Sequence, residues 1–403
     1  MSIPHPFRRA TVALSAGALL LASACASDDS TSSGDEPFKI LFVTGVTGVY
    51  APAADAVGRG IQAKVDAINE AGGIKGRKLE LTVKDNQSDP TRGATIIQEA
   101  LSGDDKPDLV LPGVSTNEAM AASPLLARNK VVGIGPISSR DHVDPEKFPY
   151  TFSQSTLQEW SVDAGIEYVS RQGNVDSIGV VIPDDAVGDA AERSIELALE
   201  DRDIESKVVR FKTDSLDYTT AFQNALADDP DWLVMEGSGA QVASLLTSRT
   251  KASGEKVPTL AGIAASTQSL VDLAKGNELE NLHATLSPMS AFIEDADRGP
   301  QFTDFLERIK DSGEININLS SYAAGWDFVG LWATAVESID GEITGQATKE
   351  ALESGLPDGD DPQFPQYRGG FSPQLHVQQS DIEDFTFGTP AKVVDGMTVV
   401  KKD

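Results

Sequence analysis

The stretch from Ala67 to Pro90 reads AINEAGGIKGRKLELTVKDNQSDP and contains two changes of pattern. Its first four residues, 67–70, are the end of a longer segment, residues 53–70, in which apolar residues recur at helical spacing. Glycines then break that period, and residues 79–83 are read as a strand. The polar turn DNQSDP leads to a second helical segment at residues 94–101. The stretch therefore predicts alternating helices and strands, which is the order typical of a parallel sheet covered by helices.

The same alternation continues on both sides of this stretch and then starts again. Strands are predicted at residues 39–43, 109–111, 131–134, 178–182, 207–211, 232–235 and 259–262, and helices at 119–128, 160–171, 190–199, 218–227 and 242–250. Three later helices are predicted at 302–309, 322–336 and 348–354, before a strand-like tail from residue 366. The fold class is therefore α/β, with two Rossmann-like lobes. The later helices are expected to return to the first lobe. Because the chain then crosses between the lobes more than once, these crossings are expected to form a hinge.

The expected division of the chain has six parts. They are residues 1–24 as a signal peptide, 25–37 as a tether, 38–154 and 287–365 as lobe 1, and 155–286 and 366–403 as lobe 2.

The N-terminus has the composition of an export signal. A basic pair at residues 8–9 precedes an apolar run of 13 residues at 10–22, which is too short to span a bilayer. Small residues then lead to Cys25, the only cysteine of the chain, in a pattern like that of a lipoprotein. Residues 26–37 are rich in Ser, Asp and Gly and predict a flexible tether. We expect an extracytoplasmic body anchored to the membrane by lipid at Cys25; an ordinary signal peptide with an incidental cysteine is the alternative.

Composition excludes several classes of function. The chain carries 62 acidic against 33 basic residues, a net charge of -29, which argues against nucleic-acid binding and against docking on anionic lipid. One cysteine allows no internal disulfide, and four scattered histidines favour no transition-metal site. No GxSxG, HExxH or EF-hand pattern is present, and neither a GxGxxG motif nor a P-loop. We therefore expect no enzyme activity, no cofactor and no metal.

Ligands of open parallel sheets bind beyond the carboxyl ends of the strands. In the turn at residues 113–117, Ser115 and Thr116 precede a predicted helix, whose free N–H groups favour an anion such as a carboxylate. A helix cap is the alternative for this pair. Asp89 before Pro90 is expected to be a helix cap only.

From residue 39 to about residue 400, the chain resembles the periplasmic-binding-protein type I superfamily. Within it, the chain is similar to the Leu/Ile/Val-binding proteins of ABC importers. The most specific match is the opening stretch, residues 67–90, supported by YAAGWD at 322–327 and GGFS at 369–372. The resemblance implies two lobes, three hinge crossings, a ligand in the cleft and closure on binding, with a membrane permease as partner.

The resemblance also implies the contacts with a solute. In lobe 1 they fall on Tyr50, Ser115, Thr116, Ile137, Ser138 and Ser139. In lobe 2 they fall on Val187, Glu236, Ser238 and Ala264.

One segment departs from the pattern of amino-acid binders. Where those proteins place an acid for the ligand's ammonium group, residues 261–267 read AGIAAST and contain no carboxylate. A buried ammonium without a partner is costly, although Glu236 in the neighbouring turn could supply the charge. The missing acid therefore leads to the hypothesis that the solute is not a standard α-amino acid but an aliphatic or aromatic carboxylate, an amide or a urea-like molecule. The broader expectation for the solute is a small amino acid or a related carboxylate or amide.

Three functions remain open at this point. The first is a solute-binding lipoprotein of an ABC importer, acting as a monomer. A sensor of the same fold that signals to a membrane partner would be distinguished by its gene neighbours. An exported enzyme would need a nucleophile and base, which no motif indicates.

Overall fold

The fold was analysed in a computed structural model. The described residues are 36–138, 140–213, 215–237, 239–262, 265, 270–271, 274–287, 289–292, 299–356, 364–367, 369–378, 380 and 382–401. Within these ranges, none of the helices combines the length and the apolar character needed to span a bilayer.

The first sheet has five parallel strands in the order β2-β1-β3-β4-β5. Its strands are β1 (Phe38–Thr44), β2 (Leu79–Asp85), β3 (Leu109–Leu111), β4 (Val132–Gly135) and β5 (Thr151–Ser153). The connecting helices are α1 (Ala51–Glu70), α2 (Pro90–Ser102) and α3 (Thr116–Asn129). Apolar side chains of all five strands form one buried core, which agrees with the near-continuous apolar runs expected of parallel strands.

The second sheet has eight strands in the order β11-β13-β12-β10-β9-β8-β6-β7. Its strands are β6 (Ser177–Pro183), β7 (Glu205–Phe211), β8 (Trp232–Met235), β9 (Thr259–Ala261), β10 (Leu282–Leu286), β11 (Ala291–Phe292), β12 (Thr386–Val394) and β13 (Met397–Lys401). The helices that precede or connect its parallel strands include α4 (Gln158–Ser170), α5 (Ala186–Leu199), α6 (Thr219–Ala225) and α7 (Gly239–Lys251).

The two sheets share one arrangement. Strands β6 to β10 are parallel and lie in the order β7-β6-β8-β9-β10, which repeats the order of β1 to β5. Each strand of the first sheet thus has an equivalent in the second, and β3 corresponds to β8. This confirms the predicted fold class of two Rossmann-like lobes.

The chain passes between the two sheets three times. It leaves the first sheet after β5, returns after β11, and passes back between residue 378 and β12. The first and third passages run side by side, since Ser153 N–H donates to the His376 carbonyl (2.8 Å) and Gln378 N–H donates to the Ser153 carbonyl (3.0 Å). The hydroxyls of Thr156 and Ser380 lie 2.8 Å apart in the same place. Paired passages of this kind form a hinge.

The later helices are α8 (Gly299–Asp311), α9 (Leu319–Ser338) and α10 (Gly345–Glu353). Helix α9 crosses α1 at two glycines. A Cβ atom at Gly60 would lie 1.9 Å from the Tyr322 carbonyl oxygen, and one at Gly325 would lie 2.0 Å from the Val57 carbonyl oxygen. The helix backbones can approach this closely only because both positions lack a side chain. This contact attaches α9 to the first lobe.

Two predicted boundaries differ from the structure. Ala291 and Phe292 pair with β13 of the second sheet, although residues 287–365 were expected in lobe 1. Conversely, Tyr367 and Phe371 are buried in the core of the first sheet, although residues from 366 onward were expected in lobe 2. The GGFS segment is not a strand of either sheet, since Gly369 and Gly370 have φ angles of 95° and 106°. The aromatic side chains hold this segment on the first lobe until the third passage.

Candidate functional site

The turns that follow β1 and β2 are tied together by hydrogen bonds. The Asp85 carboxylate accepts from the Thr47 backbone N–H (3.1 Å) and from its hydroxyl (2.7 Å). The Ser88 hydroxyl accepts from the Tyr50 N–H (3.1 Å) and donates to the Thr47 carbonyl (3.0 Å). The Thr47 hydroxyl, followed by the Gln87 N–H, lowers the pKa of Asp85. Tyr50 is thereby held, half-buried, at the start of α1.

Glu118 extends this network to the turn after β3. Its carboxylate is buried and accepts from Asn86 Nδ2 (2.6 Å), the Val114 N–H (3.0 Å) and the Ser115 hydroxyl (2.8 Å). A Cβ atom at Gly113, where φ is 88°, would lie 2.5 Å from Glu118 Cδ, so a glycine is needed for this side chain to fold back. Three strand-end turns therefore form one bonded unit around a buried negative charge.

Ser115 caps helix α3. Its hydroxyl oxygen accepts from the Glu118 N–H (3.3 Å), while its hydroxyl hydrogen is donated to the Glu118 carboxylate. This geometry confirms a helix cap for Ser115, whereas Thr116 is the first residue of the helix. With its single hydrogen committed, the Ser115 hydroxyl has none to offer a ligand.

Thr116 and Ser138 are brought together by neighbouring strands. Their hydroxyl oxygens lie 3.4 Å apart beyond the carboxyl ends of β3 and β4, and the Thr116 hydroxyl also donates to the Pro136 carbonyl (3.1 Å). Ser138 is exposed. The pair lies at the first turn of α3, where backbone N–H groups lack partners within the helix. Because the Thr116 hydroxyl hydrogen is bonded to Pro136, the donors that this edge offers are the Ser138 hydroxyl and the backbone N–H of Thr116.

Ile137 does not share that exposed position. Its side chain is completely buried, in a cluster with Ala119 and Leu157. Its backbone N–H and carbonyl both bond to the Ser153 hydroxyl, at 3.0 and 2.7 Å. The predicted solute contact through Ile137 thus differs from the structure, in which Ile137 supports the turn from within the core.

Glu236 directly follows β8 and is half-buried. Its carboxyl group lies over Gly262, where a Cβ atom would be 2.2 Å from Oε2. It also lines a cavity of about 20 Å³ together with Ser161 and Thr285. No hydrogen-bond or ionic partner for this carboxyl is found in the described part of the chain, and burial raises its pKa to about 7. The Glu236 carboxyl group thus lies at the end of a strand and accepts no hydrogen bond from the described residues.

Val187 lies in the first turn of α5, after β6. Its side chain is 48% exposed, and its N–H donates to the capping carboxylate of Asp185 (2.9 Å). An exposed apolar side chain at this strand end offers contact surface to a solute but no hydrogen bond. The remaining predicted residues, Ser139, Ser238, Ala264 and the lipidation residue Cys25, lie outside the described residues.

Sequence reasoning did not single out Glu118 as a site residue. The signal was present, because Ser115 and Glu118 have the S-x-x-E spacing of a capping box. The structure uses a variant of that motif, in which the acid reaches the Val114 N–H rather than the N–H of the capping residue. The contact with Asn86 joins residues 32 positions apart and has no local signal.

The protein has two lobes with the same strand order, joined by paired hinge passages, and polar groups lie at the ends of their strands. This arrangement defines a two-lobed α/β protein of the solute-binding class. A family model described as periplasmic binding protein matches residues 37–376. The chain belongs to this family.

Curated relatives match over shorter segments. The Leu/Ile/Val-binding protein homolog 3 of Brucella melitensis is 25% identical over 143 residues, which cover 36% of this chain and 38% of that relative. The chain therefore aligns with well under half of that protein's length.

Solved structures match over most of the chain. The branched-chain amino acid transporter substrate binding protein LivJ from Streptococcus pneumoniae, in complex with isoleucine, has a TM-score of 0.67 at 19% identity, covering 90% of this chain and 97% of that one. A fatty acid ABC transporter substrate-binding protein from Thermomonospora curvata has a TM-score of 0.70 at 18% identity, covering 91% of both chains. At these identities the two likenesses establish the fold.

Proposed function

We propose that this protein is an extracytoplasmic solute-binding protein of an ABC importer. It captures a small amino acid or a related carboxylate or amide between its two lobes and delivers it to a membrane permease. The observation that carries the proposal is the hydroxyl pair of Thr116 and Ser138 at the first turn of α3, on the ligand-binding edge of a periplasmic binding protein.

The first lobe supplies hydrogen-bond donors to an oxygen atom of the solute. Ser138 is exposed and its hydroxyl is free to rotate toward a ligand, while Thr116 places its backbone N–H at the start of α3. Donors at a helix start suit a carbonyl or carboxylate oxygen. Ser115 acts indirectly, since its hydroxyl holds the turn through Glu118.

The second lobe supplies an acceptor and apolar surface. The Glu236 carboxyl has the position and the unused bonding capacity to receive an N–H group of a solute. Val187 offers an apolar side chain at the neighbouring strand end. A solute with an oxygen at one end and an N–H group at the other satisfies both lobes.

The hinge allows the lobes to close on that solute. Three passages of the chain restrict the movement of one lobe relative to the other. The backbone bonds of Ser153 to His376 and Gln378 keep the first and third passages in register. In our proposal, Cys25 carries the lipid anchor and residues 26–37 the tether that holds the body near its permease.

A thermal-shift screen tests the proposal. The panel contains the twenty amino acids, aliphatic and aromatic carboxylates, amides and urea. A solute at about 1,000 times its dissociation constant should stabilise the protein by about 4 kcal/mol. The paired variant Thr116→Val with Ser138→Ala should lose the shift for the active solute while the unliganded melting temperature stays within a few degrees.

Thr95→Val is the matched control, because Thr95 lies on the exposed face of α2 and its hydroxyl bonds only to the Thr91 carbonyl of the same helix. This variant should keep the full shift. A panel in which no solute changes the melting temperature, or in which the paired variant binds as well as the wild type, contradicts the proposal.

A further inference from the structure

The eight-stranded sheet is continuous in its hydrogen bonding, but strand β12 belongs to two different pairings. Residues 386–388 pair with β10, and residues 389–394 pair with β13. The register with β13 shifts between Pro390 and Lys392, which leaves one extra residue on β12. We term β11, β13 and residues 389–394 of β12 the edge subsheet.

The edge subsheet packs on helices of the first lobe. Met397, at the start of β13, is 4% exposed and lies in one buried cluster with Phe305 of α8 and Trp326 of α9. Phe292 of β11 packs against the same cluster. The apolar side chains of β6 to β10 form two other clusters, and Ala291 is the only described residue of the edge subsheet buried in them.

Hydrogen bonds fix the same contact. The Leu319 N–H, at the start of α9, donates to the Gly396 carbonyl (2.9 Å), and Lys310 Nζ donates to the Asp395 carboxylate (2.8 Å). Gly396 has a φ angle of 74°, and a Cβ atom there would lie 2.7 Å from Ile315 Cγ2. The turn between β12 and β13 is thus seated in the loop that joins α8 to α9.

Arg59 of α1 holds that loop from the other side. Its guanidinium donates to three backbone carbonyls at 2.6 to 2.9 Å, those of Ile309, Gly313 and Glu314. Carbonyls at the end of a helix lack partners within the helix, so this side chain satisfies groups that α8 leaves open. The loop that receives the β12–β13 turn is therefore itself anchored to the first lobe.

We infer that the edge subsheet moves with the first lobe, although its strands are hydrogen-bonded into the sheet of the second. When the lobes rotate, it stays on α8 and α9, and β12 bends between residues 388 and 392. An extra residue interrupts the ladder there, and Pro390 has no N–H to contribute to it. The edge subsheet thus acts as a strap that limits how far the lobes separate. This inference does not depend on the identity of the solute.

Hydrogen exchange of the purified full chain, followed by mass spectrometry, tests which lobe the edge subsheet follows. Ile40→Ala in β1 weakens the first lobe, and Ile178→Ala in β6 weakens the second. The two side chains are matched, since both are 1% exposed and lie in equivalent strands. We expect the amides of residues 397–401 to exchange at least about tenfold faster in I40A and at an unchanged rate in I178A. The amides of residues 386–388 should respond in the opposite way.

Gly396→Ala tests the seat of the turn. The added Cβ would overlap the loop between α8 and α9, so residues 312–318 and 397–401 should both exchange about tenfold faster. Gly276→Ala is the matched control, because Gly276 also has a positive φ angle, 60°, but no described atom lies within 4 Å of a Cβ there. It introduces the same kind of backbone strain without the overlap and should leave both segments unchanged.

The outcomes decide the inference separately from the proposed function. Equal acceleration of residues 397–401 in I40A and I178A, acceleration in I178A alone, or acceleration in neither overturns it. Unchanged exchange of residues 312–318 in G396A also overturns it. If an alanine variant does not fold, Ile40→Val and Ile178→Val repeat the comparison with a smaller loss of packing. Each of these results leaves the solute-binding function standing, since no solute is present in the experiment.

Discussion

The connections after β3 and β8 are equivalent in the two lobes, yet their glutamates, Glu118 in the first turn of α3 and Glu236 directly after β8, have opposite surroundings. Glu118 accepts three hydrogen bonds and is buried in a network that reaches two other turns. Glu236 has no partner in the described structure, and its pKa is raised to about 7. The same fold thus contains one acid that is satisfied internally and one whose bonding capacity is left unused.

The difference teaches how the lobes divide their work. A satisfied network holds the donors of the first lobe in place before any solute arrives, so little is lost in ordering them on binding. A carboxyl group without a donor costs stability and gains a partner when a solute supplies an N–H group. In our proposal, the first lobe is therefore the preformed half of the site and the second lobe the half completed by the solute.

The largest expected effect is a difference in stability between variants of the two glutamates. Glu118→Ala leaves buried donors of Asn86 and Val114 without an acceptor, which should lower the free energy of unfolding by about 3 kcal/mol. Glu236→Ala removes no hydrogen bond and should not lower the free energy of unfolding. Urea denaturation followed by circular dichroism measures both. Equal losses in the two variants would show that Glu236 has a structural partner after all.

The second effect depends on pH. The folded-state pKa of Glu236, about 7, lies above its ordinary value of 4.5, so the folded state holds this proton more tightly than the unfolded chain. The stability it contributes is complete below pH 4.5 and is lost as the pH rises through 7, by up to about 3 kcal/mol.

In Glu236→Gln the side chain stays neutral, so the stability of this variant relative to the wild type should increase between pH 5 and pH 9. Urea denaturation at several pH values measures the difference, and titration of other groups cancels in it. A difference that is constant with pH would refute the raised pKa.

The sequence predicted the elements more reliably than the contacts between them. The helices expected at 302–309 and 322–336 are confirmed as the inner parts of α8 and α9, since apolar periodicity is a local signal. The helix expected at 348–354 is confirmed as α10, which ends one residue earlier, at Glu353. The cap at Asp89 is also confirmed, by its bonds to the Thr91 and Arg92 N–H groups.

The site was predicted less completely. Thr116 was selected because ligands of parallel sheets bind beyond the strand ends, and Ser138 because of the resemblance to the family. The structure places their hydroxyl oxygens 3.4 Å apart. The bond from Asn86 to Glu118 and the burial of Ile137 depend on tertiary packing between distant segments, which a single sequence does not encode locally.

A third, smaller effect concerns the hinge that joins the two halves. The Ser153 hydroxyl donates to the Ile137 carbonyl and accepts from the Ile137 and Ser155 N–H groups, all in or beside the first passage. Ser153→Ala should therefore cost about 2 kcal/mol of unfolding free energy. Ser161→Ala is the control in the second lobe, where the hydroxyl bonds only the Gln158 carbonyl, and should cost under about 1 kcal/mol. A reversed order would place the more rigid side of the hinge in the second lobe.

The smallest effect asks whether the contrast between the lobes is confined to the two glutamates. Asp89 caps α2 in the first lobe, and Asp185 caps α5 in the second, each through two backbone N–H groups. Since the bonding is the same, Asp89→Ala and Asp185→Ala should each lower the free energy of unfolding by about 1 kcal/mol. Both are measured by urea denaturation, with Asn replacements as conservative controls that keep the cap. Equal losses locate the difference between the lobes at Glu118 and Glu236, whereas a loss confined to Asp89 would mean that the second lobe is more loosely held throughout its strand-end turns.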